Sequence, residues 1–348
     1  MLKQYLDDLE RRIDPAAEDQ LFQEWTQFLD GVHPNGIFSP RRPQSVAPGI
    51  DWPDININDA LDDFELMALQ QFKTCSDMLA AGTGDILAVR CNYGTGIIPS
   101  LFGAELFVMP RETNTLPTNR PLEGGADAMK ALLDRGIPDL TNGLGGNVFE
   151  MAWRFQEMMR PYPKIQQHVH LYHPDTQGPL DICELLWGSS LFLALVDVPD
   201  LVKNVLDLIT QTYIRFMREW VQCIPCDTTY NVHWSLLHKG SIMLRDDSAM
   251  NLSLNMFKKF IEPYDQKLLD EFGGGAIHFC GKGDHYIPRI PEMPGVYAVN
   301  MSQPEYNNME KIFTHTVDKG IKLLRLSREA AEAALQQGRD LRGNVHCS

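Results

Sequence analysis

Short apolar segments alternate along most of this chain with longer amphipathic segments. The segments predicted to be strands are 85–90, 165–172, 241–245, 275–279, 296–300 and 321–325. The main segments predicted to be helices are 60–80, 200–222, 257–272, 305–319 and 328–338. Strands that alternate with helices of about 10–15 residues indicate βαβ units and a parallel sheet. The pattern therefore predicts an α/β protein with enough units to form one (β/α)8 barrel of about eight strands.

A doubly wound open sheet is the alternative arrangement of the same units. A dinucleotide-binding domain of that type carries G-x-G-x-x-G after its first strand. Neither Gly94-Thr95-Gly96 nor Gly143-Leu144-Gly145-Gly146 has that spacing. We therefore predict a single (β/α)8 TIM barrel over residues 59–348. Residues 1–58 form an N-terminal helical extension in this prediction, with a long Pro- and Gly-rich loop, packed on the barrel.

The charge and cysteine content exclude several classes of protein. A formal net charge of −15 argues against nucleic acid and anionic membranes as partners. No run of about 18 apolar residues is present, and the first residues lack a basic region followed by an apolar one, so neither a membrane span nor a signal peptide is predicted. The seven cysteines have no framework spacing, which is typical of reduced thiols. Together these features predict a cytoplasmic protein.

Polar side chains follow most of the predicted strands at the point where each strand ends. These residues are Asn92, Tyr93, His173, Asp175, Asp246, Asp247, His278, Cys280, Asn300, His346 and Cys347. In a (β/α)8 barrel the active site lies at the carboxyl ends of the strands. We therefore expect these side chains to converge. The residues predicted to contact substrate are Asn92, His173, Asp175 and Asn300.

His278 and Cys280 lie two positions apart at the end of one predicted strand, so their side chains point to the same face. An imidazole and a thiolate on one face provide half of a tetrahedral zinc site. Cys347, after the last predicted strand, would complete a Cys₂His site with an open fourth position, which is typical of catalytic zinc. His346, or an Asp or Glu from another strand end, is the alternative third ligand. Without metal, the pair is a buried histidine beside a free cysteine.

Two further motifs have simpler interpretations. Cys223-Ile224-Pro225-Cys226 is a C-x-x-C that follows a long helix and lacks a second cysteine pair, so two free thiols are expected. Of the adjacent Asp246 and Asp247, one is expected to brace a loop or cap a helix, and the other to orient substrate.

Segments 244–254 and 257–264 resemble the uroporphyrinogen decarboxylase superfamily. In that superfamily a strand ending in aspartate leads into a helix with the signature F-x-x-F-x-x-P-Y, here Phe257 to Tyr264. The segment 171–180 and Pro199-Asp200-Leu201-Val202 resemble it as well. The resemblance extends over roughly 60–348, is strongest from 165 to 300, and implies a single (β/α)8 barrel.

Within this superfamily the chain is nearer to the corrinoid-dependent methyltransferases, such as methylcobamide:coenzyme M methyltransferase. The decarboxylases carry an arginine-containing M-R-Q-A-G-R strand end that is missing here, whereas His278-Phe279-Cys280-Gly281 resembles the H-x-C-G of the methyltransferases. The resemblance implies that His278, Cys280 and a later cysteine, here Cys347, bind zinc.

The reaction implied is methyl transfer between a corrinoid, carried by a partner protein, and a thiol or similar small-molecule acceptor. Asp246, Asp247 and Tyr93 would shape the acceptor or corrinoid side of the site. Two alternatives stay open at this point. One is a zinc-free carboxy-lyase acting on a tetrapyrrole or another carboxylate, and the other is a non-catalytic protein that binds a corrinoid or tetrapyrrole.

Overall fold

The computed structural model describes residues 2–225, 227 and 229–348, so Cys226 of the C-x-x-C lies outside the described residues. The helices of the described part are α1 Lys3–Arg12, α2 Pro15–Leu29, α3 Ile57–Asp62, α4 Phe64–Ala81, α5 Ile97–Leu101, α6 Gly125–Arg135, α7 Gly145–Met159, α8 Pro163–His168, α9 Pro179–Trp187, α10 Leu191–Asp197, α11 Pro199–Cys223, α12 Leu254–Phe260, α13 Glu262–Phe272, α14 Met309–His315 and α15 Arg328–Gln336. The strands are β1 Ile37–Phe38, β2 Ala88–Val89, β3 Leu106–Phe107, β4 Thr118–Asn119, β5 His170–Leu171, β6 Tyr230–His233, β7 Leu236–Lys239, β8 Ile242–Arg245, β9 Gly275–Phe279, β10 Val296–Met301, β11 Lys322–Leu324 and β12 Val345–His346.

A six-stranded sheet with the order β1-β12-β11-β10-β9-β8 forms the centre of the molecule. Every pairing in it is parallel, as predicted from the alternation of strands and helices. The strands β2 and β5 form a separate parallel pair. The segment between β5 and α9 approaches β8 where Gly178 N donates to Arg245 O at 2.8 Å. The mixed α/β fold is therefore confirmed. A closed ring of paired strands is not present within the described residues, so the (β/α)8 barrel stays a prediction.

The strand β9 carries the predicted metal ligands, and it is buried along its whole length. Near-continuous apolar sequence is typical of a parallel strand covered on both faces. Gly275 begins the strand, and a Cβ there would lie 1.8 Å from Ile242 O of β8. Glycine at this position therefore allows the two strands to approach closely.

The predicted strand 165–172 is wrong over most of its length. Residues Pro163–His168 form the helix α8, and only His170 and Leu171 are in strand β5. Pro163 occupies the first turn of α8, where its fixed φ favours the helix and its missing N–H costs nothing. His168 and His170 therefore belong to different elements and do not share a strand face.

The helix predicted over 257–272 is two helices, α12 and α13. Pro263 lies in the first turn of α13. A proline inside one continuous helix would remove a hydrogen bond and clash with the preceding turn. The chain accordingly breaks at Ile261, and a new helix begins with proline in its first turn.

The two faces of the sheet pack against different parts of the chain. One face contributes Ile242, Leu244, Ile277 and Val299 to a core shared with the surrounding helices. The other contributes alternate residues of the same strands to a second core. Its members from strands are Phe38, Ala88, Met243, Ala276, Ala298 and Leu324, together with Val232, Leu236 and Leu237 of the antiparallel hairpin β6–β7. The hairpin and helix α2, which contributes Trp25 and Phe28, therefore cover this second face of the sheet.

The N-terminal segment is joined to the sheet directly. The long Pro- and Gly-rich loop predicted within residues 1–58 contains β1, which pairs with β12. Arg42 is buried and binds Glu18 of α2 with both ends of its guanidinium, at 2.6 and 2.7 Å. Arg42 also donates to Asp85 O at 3.0 Å, which ties α2 to the segment before β2.

Within the described part of the chain, no single helix is long and apolar enough to cross a membrane. The helices α9 and α10 reach the required length and composition only when taken together, and they are bent by 106° relative to each other.

Candidate metal centre

Asp247, His278 and Cys280 converge at the carboxyl ends of β8 and β9. One ligand atom from each residue lies within 4.8 Å of the other two. His278 and Cys280 are at and just beyond the end of β9, and Asp247 begins the 3₁₀ turn that follows β8. Cys280 N donates to Asp247 Oδ1 at 2.7 Å, which holds the two segments together. We call Asp247, His278 and Cys280 the ligand triad.

Two of the distances within the ligand triad are compatible with a tetrahedral metal such as zinc. His278 Nε2 lies 3.4 Å from Cys280 Sγ and 3.6 Å from Asp247 Oδ1. Ligands on a tetrahedral zinc, with bonds of about 2.0–2.3 Å, are separated by about 3.3–3.6 Å. Imidazole, thiolate and carboxylate are all zinc ligands. Three protein ligands would leave the fourth position to a substrate atom.

Asn300 fixes the orientation of the His278 ring. Asn300 Nδ2 donates to Leu324 O at 2.7 Å, so its carbonyl oxygen faces His278 Nδ1 at 2.6 Å. Nδ1 must therefore carry the proton, and Nε2 presents its lone pair to Cys280 and Asp247. Burial lowers the pKa of His278, which favours the neutral ring that a metal requires.

We expect Asn300→Ala to lower the affinity of the protein for zinc by about 10- to 100-fold, because the ring loses the partner that fixes its tautomer. Competition with a chromophoric chelator measures this affinity. Asn308→Ala is the matched control, since Asn308 caps α14 by accepting from Lys311 N and belongs to a different element from the ligand triad. Equal zinc affinity in the two variants would contradict the role of Asn300.

Cys280 is the member of the ligand triad that leads into the loop after β9. Burial raises the pKa of its thiol to about 11, and the nearby Asp247 adds to this. The thiol therefore keeps its proton unless a cation is present. Gly281 follows at φ +71°, and a Cβ there would lie 2.8 Å from Met250. Glycine at 281 thus allows Met250 to cover the loop beside Cys280.

A group of two arginines and one carboxylate lies next to His278. Arg245 pairs with His278 in the register of β8 and β9, and its Nη2 lies 2.5 Å from Asp175 Oδ1. Arg90 binds the other oxygen of Asp175. Burial would raise the pKa of Asp175, but Arg245 and Arg90 outweigh burial and hold the pKa below its ordinary value. Arg90, Asp175 and Arg245, which we call the arginine group, carry a net charge of +1.

Asp246 and Asp247 have different surroundings. Asp247 belongs to the ligand triad, whereas Asp246 is fully buried against Asp265. Burial raises the pKa of both Asp246 and Asp265, and repulsion from neighbouring carboxylates adds to it. Asp181 of α9 braces the turn by accepting from Asp247 N and Ser248 N, both at 2.9 Å.

The remaining predicted site residues are spread more widely. Asn92 Nδ2 donates to Gln70 at 3.1 Å. Tyr93 is buried, and burial raises the pKa of its hydroxyl, whose nearest charged residues are Arg154 and Glu150 of α7. Neither residue is a member of the ligand triad. Their roles toward substrate stay predictions.

Cys347 is not a member of the ligand triad. It follows β12, which is separated from β9 by β11 and β10 in the sheet order. The Cys347 N–H donates to Phe38 O, and the charged neighbours of its thiol are Arg328 and Glu332. The carboxylate of Asp247 is thus the third ligand that the described geometry offers. An Asp or Glu from another strand end was the alternative to Cys347, and which of these residues binds metal stays a prediction.

His173 belongs to a buried group of three histidines. Its Nδ1 donates to Pro174 O at 2.8 Å, and its Nε2 accepts from Met243 N at 3.3 Å. The ring of His233 lies beside it, with the ring centroids 3.9 Å apart and the planes tilted by 59°, and His233 Nδ1 lies 2.6 Å from His238 Nε2. Burial lowers the pKa of His173 to about 3 and that of His238 to about 4. All three rings are therefore neutral in the folded protein.

These histidines make stability depend on pH. In the unfolded chain these histidines bind protons below their ordinary pKa of 6.5. In the folded chain His238 binds a proton only below about pH 4. Their contribution to the free energy of unfolding is complete above pH 6.5 and is lost as the pH falls toward 4. Between pH 7 and 5 we expect the free energy of unfolding to fall by about 2 kcal/mol for each histidine. Urea unfolding at pH 7, 6 and 5 measures this loss.

The variant His238→Gln is the comparison for this prediction, because its amide oxygen can accept the hydrogen bond from His233. The loss between pH 7 and 5 should be smaller in the variant by about 2 kcal/mol. A free energy of unfolding that does not change with pH would contradict the neutral histidine group.

Sequence reasoning missed several residues around the ligand triad. Arg90 and Arg245 are the last residues of two predicted strands. Their position at strand ends was the sequence signal that could have identified them as site residues. Asp181, which braces the 3₁₀ turn that begins at Asp247, lies on a helix that had no strand-end signal. Trp234, whose ring meets His278 edge-on at 4.7 Å, lies in the turn of the unpredicted hairpin β6–β7.

No family model matches the chain, and no curated protein sequence matches it. Among solved structures, a methyltransferase from Methanosarcina mazei is similar over 94% of this chain and 93% of its own, with a TM-score of 0.63 and 18% sequence identity. At this identity the likeness shows a shared fold and does not by itself assign an activity.

Proposed function

We propose that this chain is a zinc-dependent methyltransferase that moves a methyl group between a corrinoid and a thiol or similar acceptor. The observation that carries the proposal is the convergence of Asp247, His278 and Cys280 within 4.8 Å, at the carboxyl ends of neighbouring parallel strands. Their donor set and spacing suit a catalytic zinc with one open position.

Zinc in this site would hold an acceptor thiol as its thiolate, because coordination removes the thiol proton at neutral pH. The residues of the chain prepare the site for this chemistry. Asn300 holds His278 as the neutral Nδ1–H tautomer. Asp181 orients the turn that presents Asp247. The buried strand β9 keeps water from one side of the site.

The methyl donor is proposed from the resemblance of His278-Phe279-Cys280-Gly281 to the corrinoid-dependent methyltransferases. The corrinoid is proposed to be carried by a separate protein. The M. mazei structure of similar fold is itself named a methyltransferase, and this supports the same class of reaction here.

Methyl transfer can be tested with free methylcobalamin as the donor. The zinc-loaded protein is incubated with methylcobalamin and a panel of small thiols, and loss of the cobalt–carbon bond is followed by absorbance. We expect thiol-dependent demethylation that stops when zinc is removed by a chelator and returns when zinc is added. Demethylation at the same rate with and without zinc would contradict the proposal.

A carboxy-lyase acting on a carboxylate is the second candidate, because the arginine group places a net positive charge beside His278. That activity would need no metal. Turnover of uroporphyrinogen by the zinc-free protein would favour it over methyl transfer.

A further inference from the structure

A cavity of about 390 Å³ adjoins the ligand triad on the side of α9. Asp247 lines both the cavity and the metal centre. Thr95, which comes after β2, and Gln177, which comes after β5, also line the cavity. The cavity therefore lies among the carboxyl ends of the strands. This volume is near the lower end of the range of about 300–1,000 Å³ for small-molecule sites. A compact substrate suits it better than a tetrapyrrole does.

The lining of this cavity is acidic. It contains the carboxylates of Asp181, Glu184 and Asp247, and the described lining has no lysine, arginine or histidine. Two of these carboxylates already bind the turn after β8: Asp181 accepts from two backbone N–H groups, and Glu184 accepts from Ser248 Oγ. A carboxylate oxygen can accept more than one hydrogen bond, so both side chains retain capacity for a ligand.

Asn119 supplies a second, independent indication of a ligand. Its side chain lines the same cavity and is 7% exposed, yet neither its Nδ2 nor its Oδ1 has a hydrogen-bond partner in the described residues. Buried amides are nearly always hydrogen-bonded, and one left without partners indicates a group that is not described. A Cβ at Gly96 would lie 2.5 Å from Asn119 Oδ1, so glycine there makes room for the amide.

We propose that this cavity binds a positively charged amino group of the substrate while the acceptor atom reaches the metal centre. This inference rests on the proposed function and specifies its substrate class. An ammonium group donates three hydrogen bonds, which suits Glu184, Asp181 and the carbonyl oxygen of Asn119. Apart from the metal at Asp247, an anionic group would meet carboxyl groups and no cation in the described lining. The arginine group does not line the cavity.

The test compares three thiols of similar size: cationic 2-aminoethanethiol, neutral 2-mercaptoethanol and anionic 3-mercaptopropionate. Cobalt(II) is placed in the metal centre, and thiol binding is followed by thiolate-to-cobalt charge-transfer absorption. We expect the cationic thiol to bind at least about tenfold more tightly than the anionic one. Equal affinity for the two would overturn the inference.

Variants of the lining separate the effect of the cavity from the intrinsic acidity of each thiol. Glu184→Gln keeps an acceptor for Ser248 and removes one charge, so the preference for the cationic thiol should fall about three- to tenfold. Ser189→Asp adds a charge at the exposed rim and should raise the preference. Glu329→Gln, on an exposed part of α15, is the control and should leave it unchanged. An unchanged preference in Glu184→Gln would overturn the inference.

A probe without sulfur distinguishes failure of the inference from failure of the proposed function. Binding of 2-aminoethanol is followed by saturation-transfer NMR with and without metal, using Glu184→Gln for comparison. Binding that weakens in Glu184→Gln supports the acidic cavity even if no metal is bound. No binding of 2-aminoethanol in either state would overturn the inference, whatever the metal centre does.

Discussion

Cys280→Ser should reduce bound zinc from about one per chain to less than about 0.2 per chain and abolish zinc-dependent methyl transfer. Serine replaces a thiolate, which zinc binds strongly, with a hydroxyl that stays protonated. Cys347→Ser is the matched control, because it makes the same chemical change at a buried thiol outside the ligand triad. We expect this variant to keep its zinc. Zinc is measured by mass spectrometry after metal-replete expression and desalting.

The pair of cysteine variants also decides between two versions of the site. If Cys347→Ser loses zinc as completely as Cys280→Ser, the Cys₂His site predicted from the sequence is correct, and Asp247 is not the third ligand. If both variants keep zinc, the metal is bound elsewhere. Circular dichroism and thermal unfolding of each variant show whether a loss of bound zinc comes from misfolding.

Asp175→Asn should lower the free energy of unfolding by about 3–5 kcal/mol. Asp175 is the carboxylate between Arg90 and Arg245, and its removal leaves two guanidinium groups close together with little access to water. Asn is similar in size, so the cost comes from the missing charge. Urea unfolding at neutral pH measures it.

The control for this variant is Asp200→Asn. Asp200 pairs with Lys203 on the surface, where its side chain is 91% exposed, and a surface pair of this kind contributes about 0–1 kcal/mol. A loss of less than about 1 kcal/mol in Asp175→Asn would indicate that water or a neighbouring group screens the two arginines, and would contradict the described arginine group.

The strands near the metal centre could be predicted from the sequence because their patterns are local. Ile242–Arg245, Gly275–Phe279 and Val296–Met301 are runs of apolar residues bounded by glycine or polar residues, and each begins and ends close to its predicted position. The proximity of His278 to Asn300 follows from the parallel register of β9 and β10.

The position of Asp247 beside Cys280 could not be predicted, because it depends on contacts between distant parts of the chain. Asp246 and Asp247 are adjacent in sequence, and nothing local determines which one turns toward Cys280. The choice follows from Asp181 of α9, which binds the backbone N–H groups of Asp247 and Ser248. Asp246 turns instead toward Asp265 of α13.

The wrong assignment at 165–168 has a different cause. An alternation of apolar and polar residues over a few positions does not distinguish a strand from a short helix. Proline at 163, which favours a helix start, was the decisive local signal. The hairpin β6–β7 was missed because its strands are short and polar in part, and their burial comes from packing on the sheet.

The most direct test of the metal centre is zinc X-ray absorption spectroscopy on the purified protein, with an added thiol and without it. The proposed site predicts one sulfur ligand at about 2.3 Å and the remaining ligands nitrogen or oxygen at about 2.0–2.2 Å, with a second sulfur when the thiol is present. Two sulfur ligands before any thiol is added, or a first shell that the thiol does not change, would contradict a catalytic zinc held by Asp247, His278 and Cys280.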